Sequence, residues 1–227
     1  SATIEGAPAA FMLNLNLPTL LSRIIILMIA FTLHEFSHAI VATWLGDETP
    51  RQAGRLTLNP FAHLDPIGTV MLLLAGFGWA KPVPVNPYRL RQRSRAGLML
   101  VSLAGPLSNL ILAVIAGLII RFARLPLYAN APGAILPSWG QFLLEFVVIN
   151  LTLFLFNLIP LAPLDGEKVL LFFLPPRAAE WMEKMRPYAP MVLLAIVIIG
   201  PLVNFDIISM LIRTPMVQLT RLLIGVY

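Results

Sequence analysis

Cysteine is absent from this 227-residue chain, which excludes disulfides and thiolate-ligated metals, so any bound metal must be held by imidazole and carboxylate. Charge is scarce as well. Asp, Glu, Lys and Arg make up 12% of residues, against about 25% in soluble domains. With 58% hydrophobic residues and a mean hydropathy of +0.84, that scarcity excludes a soluble globular domain. No hydrophilic block is long enough for an appended soluble domain, so one integral membrane domain over 1–227 is expected. The net charge of +5 does not indicate a nucleic-acid partner, because the basic residues flank apolar segments, where membrane topology places them. Ser1 to Asn16 has no basic stretch ahead of an apolar core and does not read as a signal peptide.

What is abundant is long apolar sequence. Pro18 to Trp44 is almost all hydrocarbon, roughly 40 Å of helix at 1.5 Å per residue. Gly46 to Asp65 is polar and punctuated by proline, and reads as loop with at most short strands. Ile67 to Ala80 is apolar but short for a crossing and carries Gly68, Gly76 and Gly78. Lys81 to Asn86 is extended, because residues before proline avoid the α region, and four arginines follow between Arg89 and Arg95. Further spans are expected from Ala96 to Ile120, Gln141 to about Ile159, and about Ala189 to Ile212 with a kink at Pro201; an amphipathic tail to Tyr227 would lie at the interface. The fold class is therefore an all-α polytopic membrane protein, a bundle of about four to six transmembrane helices with a re-entrant loop or small β-hairpin.

Inside the first span lies His34-Glu35-Phe36-Ser37-His38, and the chain has only three histidines. Residues four apart share a helix face, so His34 and His38 can grip one Zn²⁺ while Glu35 stands beside its open position. This is the H-E-x-x-H pattern of zinc peptidases, and at this composition it arises by chance about once in a thousand such chains. A catalytic zinc needs a third protein ligand. The acids available at membrane depth are Glu145, Asp165, Glu167 and Asp206. Asp165 is favoured because Pro163 and Gly166 bracket it at a helix break; Glu167 is the rival. If His34 and Asp165 share one metal, their helices must run in the same direction, with an odd number of crossings between them. The Ala96 to Ile120 span supplies one, which makes Ile67 to Ala80 a re-entrant segment. Charge then places Arg51, Arg55, Lys81 and Arg89 to Arg95 on one side together with Lys168 to Arg186, the cytoplasmic side by the positive-inside rule.

HEFSH in an apolar helix followed by Asn157-Leu158-Ile159-Pro160-Leu161-Ala162-Pro163-Leu164-Asp165-Gly166 resembles the site-2 protease family of intramembrane zinc metalloproteases. Gly105-Pro106-Leu107-Ser108-Asn109 is similar to that family's G-P-x-x-N segment, and Gly76-Phe77-Gly78 to the G-x-G of its re-entrant β-loop. The inter-proline spacing of the second motif is one residue longer than in the family. The resemblance spans roughly Leu20 to Phe173 and implies a minimal member with no PDZ-like or CBS-like domain, its catalytic core at about 18–175. It implies one zinc per chain held by His34, His38 and Asp165, with Glu35 as general base. It also implies Asn157 near the scissile peptide, and Gly76 and Gly78 on an edge that takes an extended substrate. The implied partners are a transmembrane protein substrate and the lipid bilayer. The implied setting is the plasma membrane of a prokaryote, with the site opening toward the cytoplasm.

Asn109 on its own reads as a helix-packing residue, with Gly105 and Ser108 permitting close approach. Two other functions fit the bare pattern: a membrane zincin that cuts soluble or lipidated peptides, and a metal transporter or metal-binding protein with midplane histidines. Transport does not need Glu35. If the Gly76 to Val85 edge takes the substrate as an added strand, bulky replacement of Gly76 and Gly78 lowers processing of a membrane substrate while zinc is retained. Unchanged processing in an assay of membrane-substrate cleavage would exclude that role.

Overall fold

The computed structural model describes residues 17–66, 68, 79–127, 135–202 and 207–226. Among the described residues the helices are, in chain order, α1 (Leu17–Trp44), α2 (Thr49–Gln52), α3 (Pro87–Arg93), α4 (Gly97–Ala123), α5 (Trp139–Asn157), α6 (Asp165–Phe173), α7 (Pro176–Met185), α8 (Ala189–Leu202) and α9 (Ile207–Ile224), with a 3-10 turn at Pro60–Ala62. Among the described residues no strand forms, and α1, α4 and α5 are long and apolar enough to cross a membrane. This is an all-α membrane protein.

The long helices start and stop where local chemistry dictates. α1 ends at Trp44, two residues before Gly46, whose φ of +87° is a left-handed conformation suited to glycine. α5 begins with Ser138 Oγ accepting the Gln141 N–H at 3.2 Å. It stops ahead of Pro160 and Pro163, and the Ala162–Pro163 peptide is cis. α4 is two-faced. Leu100, Leu107, Ile111, Ile115, Leu118 and Phe122 are exposed along one side, a hydrocarbon face toward lipid. Val101, Gly105, Asn109, Ala113, Ala116 and Ile120 are buried along the other, where small residues let helices approach.

Side-chain pairs give the helix directions. His34 and His38 of α1 meet Asn109 and Val101 of α4, ascending against descending, so the two helices are antiparallel. Ser22 meets Glu145, and Asn109, which reaches Ala30, also reaches Asn150; ascending α1 therefore matches ascending α5, and these two run parallel. That is the arrangement a metal shared by α1 and the end of α5 requires.

The segments between the long helices differ in detail from expectation. The polar stretch after α1 holds α2 and the 3-10 turn instead of short strands, and the arginine-rich flank is helical because Asn86 Oδ1 accepts the Tyr88 and Arg89 N–H groups and Pro87 sets the first helical φ. Leu64 and Ala80 form an isolated antiparallel bridge, and the Lys81 N–H donates to the His63 carbonyl at 2.8 Å. These contacts pair the two ends of the expected re-entrant segment; residues 67 and 69–78, with Gly76 and Gly78, lie outside the described residues. The Arg55 guanidinium donates to the Ala62 and Lys81 carbonyls, and Asp47 accepts the Asn86 N–H at 2.6 Å, so the strap from Ala80 to Asn86 is tied at both ends.

Of the expected fourth span over about Ala189 to Ile212, the described residues form α8 and the first part of α9; residues 203–206, between them, lie outside the described residues. The expected interfacial tail is part of the bundle: Ile212, Met216 and Ile224 of α9 pack with Ala113, Ala116 and Ile120 of α4 and with Val147 and Leu151 of α5. The helical period of the tail's apolar residues reports a buried face, which protein and interface both satisfy. Because lipid is as apolar as leucine, truncating Leu151 forfeits mainly packing. Leu151→Ala should cost about 1–3 kcal/mol, below the usual range for water-soluble cores. Ile111→Ala on the lipid face should cost well under half of that, as read by reversible unfolding in mixed micelles.

Candidate metal centre

Three potential ligand atoms converge on one point. His34 Nε2 and His38 Nε2 are 3.1 Å apart, and each lies 3.2 Å from Asp165 Oδ2. A tetrahedral zinc with bonds of about 2.0–2.1 Å has ligand–ligand edges of about 3.3–3.4 Å, so the triangle is close to the size that one such ion spans. Glu35 belongs to the same group, with its ligand atom and those of the two histidines all within 4.8 Å of one another. All four residues are buried.

Hydrogen bonding sets what the triangle can hold. His38 Nδ1 lies 2.7 Å from the Val101 carbonyl, which can only accept, so the proton sits on Nδ1 and Nε2 presents a lone pair. His34 Nδ1 lies 2.7 Å from Asn109 Oδ1. The Asn109 amide nitrogen is committed to Asn150 Oδ1 at 3.0 Å and the Ala30 carbonyl at 3.4 Å, so its oxygen is the atom facing His34. Asn150 in turn donates to the Phe146 carbonyl at 2.9 Å, which fixes its own orientation. Two imidazole lone pairs and a carboxylate oxygen therefore point at one buried spot, an arrangement that calls for a cation. The donor set, with its outer partners, suits zinc.

Each element places its residue for a local reason. The i,i+4 spacing on α1 puts both imidazoles on one face. Asp165 begins α6 directly after the break following α5, and Gly166 lies so close to the Leu158 and Ile159 carbonyls that a Cβ would strike both. Gly105 of α4 faces the histidines, and a Cβ there would stand 2.6 Å from His34 Nε2 and closer still to His38. The glycine thus clears the space where the two imidazoles meet, beyond the helix approach expected of it. Glu35 Oε2 accepts the Val83 N–H at 3.0 Å, which ties the carboxylate to the strap.

The other acids lie elsewhere. Glu167 is buried but turned to Arg186, with Oε1 3.0 Å from Nε and Oε2 3.2 Å from Nη2. Glu145 accepts from Ser22 and Gln141, and Ser22 is about 18 Å along α1 from His34. Asp206 is outside the described residues. Asn157 donates its amide to the Leu153 carbonyl at 3.0 Å within its own helix. His63, a loop residue, is fully buried against the Thr57 carbonyl. Three participants were not singled out for the site from sequence: the Val101 carbonyl, Asn109 as the partner of His34, and Lys168, whose Nζ lies 3.6 Å from Asp165 Oδ1. Only the G-P-x-x-N segment carried a signal for one of them.

Over 188 residues the chain is 43% identical to "Putative zinc metalloprotease YwhC" of Bacillus subtilis, a match covering 83% of this chain and 84% of that one. The chain belongs to the zinc metalloprotease family of YwhC. It is also 31% identical to "Putative zinc metalloprotease Rip2" of Mycobacterium tuberculosis over 181 residues, 78% of this chain and 66% of the relative. A Rip2 of Mycolicibacterium smegmatis matches at 31% over 185 residues, again 78% of this chain and 66% of the relative. No protein-family model and no solved structure matches the chain.

Within this YwhC-family chain, the crowding at Gly105 yields a direct check. Gly105→Ala should lower bound zinc to less than about a tenth of wild type, and Asn109→Leu should weaken zinc binding about 10–100-fold. Both are read by metal analysis of protein purified in detergent.

Proposed function

We propose that this chain is an intramembrane zinc metalloendopeptidase of the site-2 protease type, hydrolysing peptide bonds within or near transmembrane segments of other membrane proteins. The observation that carries this reading is the convergence of His34, His38 and Asp165 on one point, with Glu35 beside them, among helices whose outward faces are hydrocarbon. In this reading the first three are the zinc ligands and Glu35 is the general base. Zinc, when bound, supplies a Lewis acid that brings the pKa of a bound water toward about 7 and stabilises charge on the peptide oxygen.

The chain's own residues do the rest. Val83 N–H engages Glu35 Oε2, which leaves Oε1 to accept the proton of the attacking water and pass it to the leaving amine. Asn109 and the Val101 carbonyl keep both imidazoles in the ligating tautomer. In this reading the break after α5 and the strap wall the cavity through which water enters. A helical substrate hides its carbonyls in its own hydrogen bonds, so it must unwind locally; Asn157 then contacts the scissile region, and the edge bearing Gly76 and Gly78 holds the extended segment. In this reading the basic loops lie on the cytoplasmic side of a prokaryotic plasma membrane and the site opens there, so that cleavage would release a cytoplasmic fragment of the substrate.

The test compares zinc content and cleavage of a transmembrane model substrate in liposomes. Glu35→Gln should keep zinc and lose at least about a thousandfold in kcat, and Asp165→Ala should lose both zinc and cleavage. Wild-type cleavage in both variants would show the assignment to be wrong, and metal flux retained in Glu35→Gln would point to transport instead.

A further inference from the structure

Asp165 has two oxygens, and the structure treats them differently. Oδ2 faces both imidazoles at 3.2 Å. Oδ1 has one partner among the described residues, the Lys168 ammonium at 3.6 Å. Lys168 lies three residues on, in the first turn of α6, and its side chain is 24% exposed against 12% for Asp165. The turn itself is pinned: Gly166 sits under the Leu158 and Ile159 carbonyls, and Glu167 is held by Arg186. Rotation of the Asp165 carboxylate is therefore the freedom that remains, and the Lys168 ammonium stands beside the oxygen that such a rotation would move.

We propose that Lys168 is a positioning residue that holds Asp165 Oδ1 away from the two histidines, so that the carboxylate offers a single oxygen and a bound metal with its water stays four-coordinate, where a second carboxylate oxygen beside that water would make it five-coordinate. The inference rests on the reading of His34, His38 and Asp165 as ligands. A carboxylate binds a metal through one oxygen or two, and nothing in the histidine pair chooses between them. A cation on the second oxygen makes that choice. It also draws electron density from the carboxylate, which keeps a bound cation more electrophilic. An i,i+3 ion pair on a helix surface would contribute only a few tenths of a kcal/mol and would leave the site unchanged.

Cobalt(II) substitution tests this, because its visible absorption is strong in four-coordinate sites and markedly weaker in five-coordinate ones. The wild-type protein in detergent, stripped and reloaded with one cobalt per chain, should give the strong spectrum. Lys168→Met should load equally but absorb at less than half that intensity, and its zinc form should show kcat lowered about 10–100-fold with KM within about twofold. Lys168→Arg should restore both. Lys168→Gln is the second variant where the methionine protein does not fold, with the same loss expected. A wild-type spectrum in the loaded Met or Gln variant overturns the proposal whatever its kcat. Failure of the wild-type protein to take up cobalt, or a spectrum unaltered by Asp165→Ala, overturns the ligand reading itself.

Discussion

Two hydrogen bonds govern the centre of this molecule, His34 Nδ1–H to Asn109 and His38 Nδ1–H to the Val101 carbonyl. A buried imidazole in an apolar bundle has no water to fall back on, so its partner must come from a neighbouring helix. Meeting that need fixes three things together. It sets the tautomer, and with it the inward lone pairs. It sets the register of α1 on α4, since sliding one helix by a turn would break both bonds. Through Asn109 and Asn150 it carries the register on to α5, whose end delivers Asp165. Chemistry and topology thus share one small polar network, and the surrounding hydrocarbon makes each of its members costly to lose.

Much of this was legible in the sequence because it is local. Apolar runs of helical length predict α1, α4 and α5 to within a few residues, and the HEFSH spacing alone puts two imidazoles on one face. The parallel course of α1 and α5 followed from assuming a shared metal, and the contacts along both helices agree with it. Choosing between Asp165 and Glu167 was harder. Neighbours in one helical turn look alike in sequence, and what separates them is Arg186, nineteen positions beyond Glu167 and just past the end of α7.

What escaped the sequence was nonlocal or featureless. A backbone carbonyl such as that of Val101 has no signature, because every residue carries one. Gly105 read as a helix-contact glycine, and only the position of the histidine rings shows that its missing Cβ leaves room for them. The tail beyond Ile212 reads as a surface helix because an apolar stripe does not say what covers it. In the structure α9 covers α4 and α5 with Ile212, Met216 and Ile224.

The strap from Ala80 to Asn86 has a sidedness that follows from its prolines. Lys81 and Val83 spend their N–H groups on His63 and Glu35, while Pro82 and Pro84, alternating with them, have none to give. One edge of this backbone is thus committed inward, and the other lacks donors at Pro82 and Pro84 and spends the Asn86 N–H on Asp47. A partner chain cannot continue a regular ladder along it, so the stretch beside the site is protected from edge-to-edge aggregation with other copies. The same chemistry sets a limit for any extended guest: between Pro82 and Pro84 it finds no run of backbone donors with which to pair.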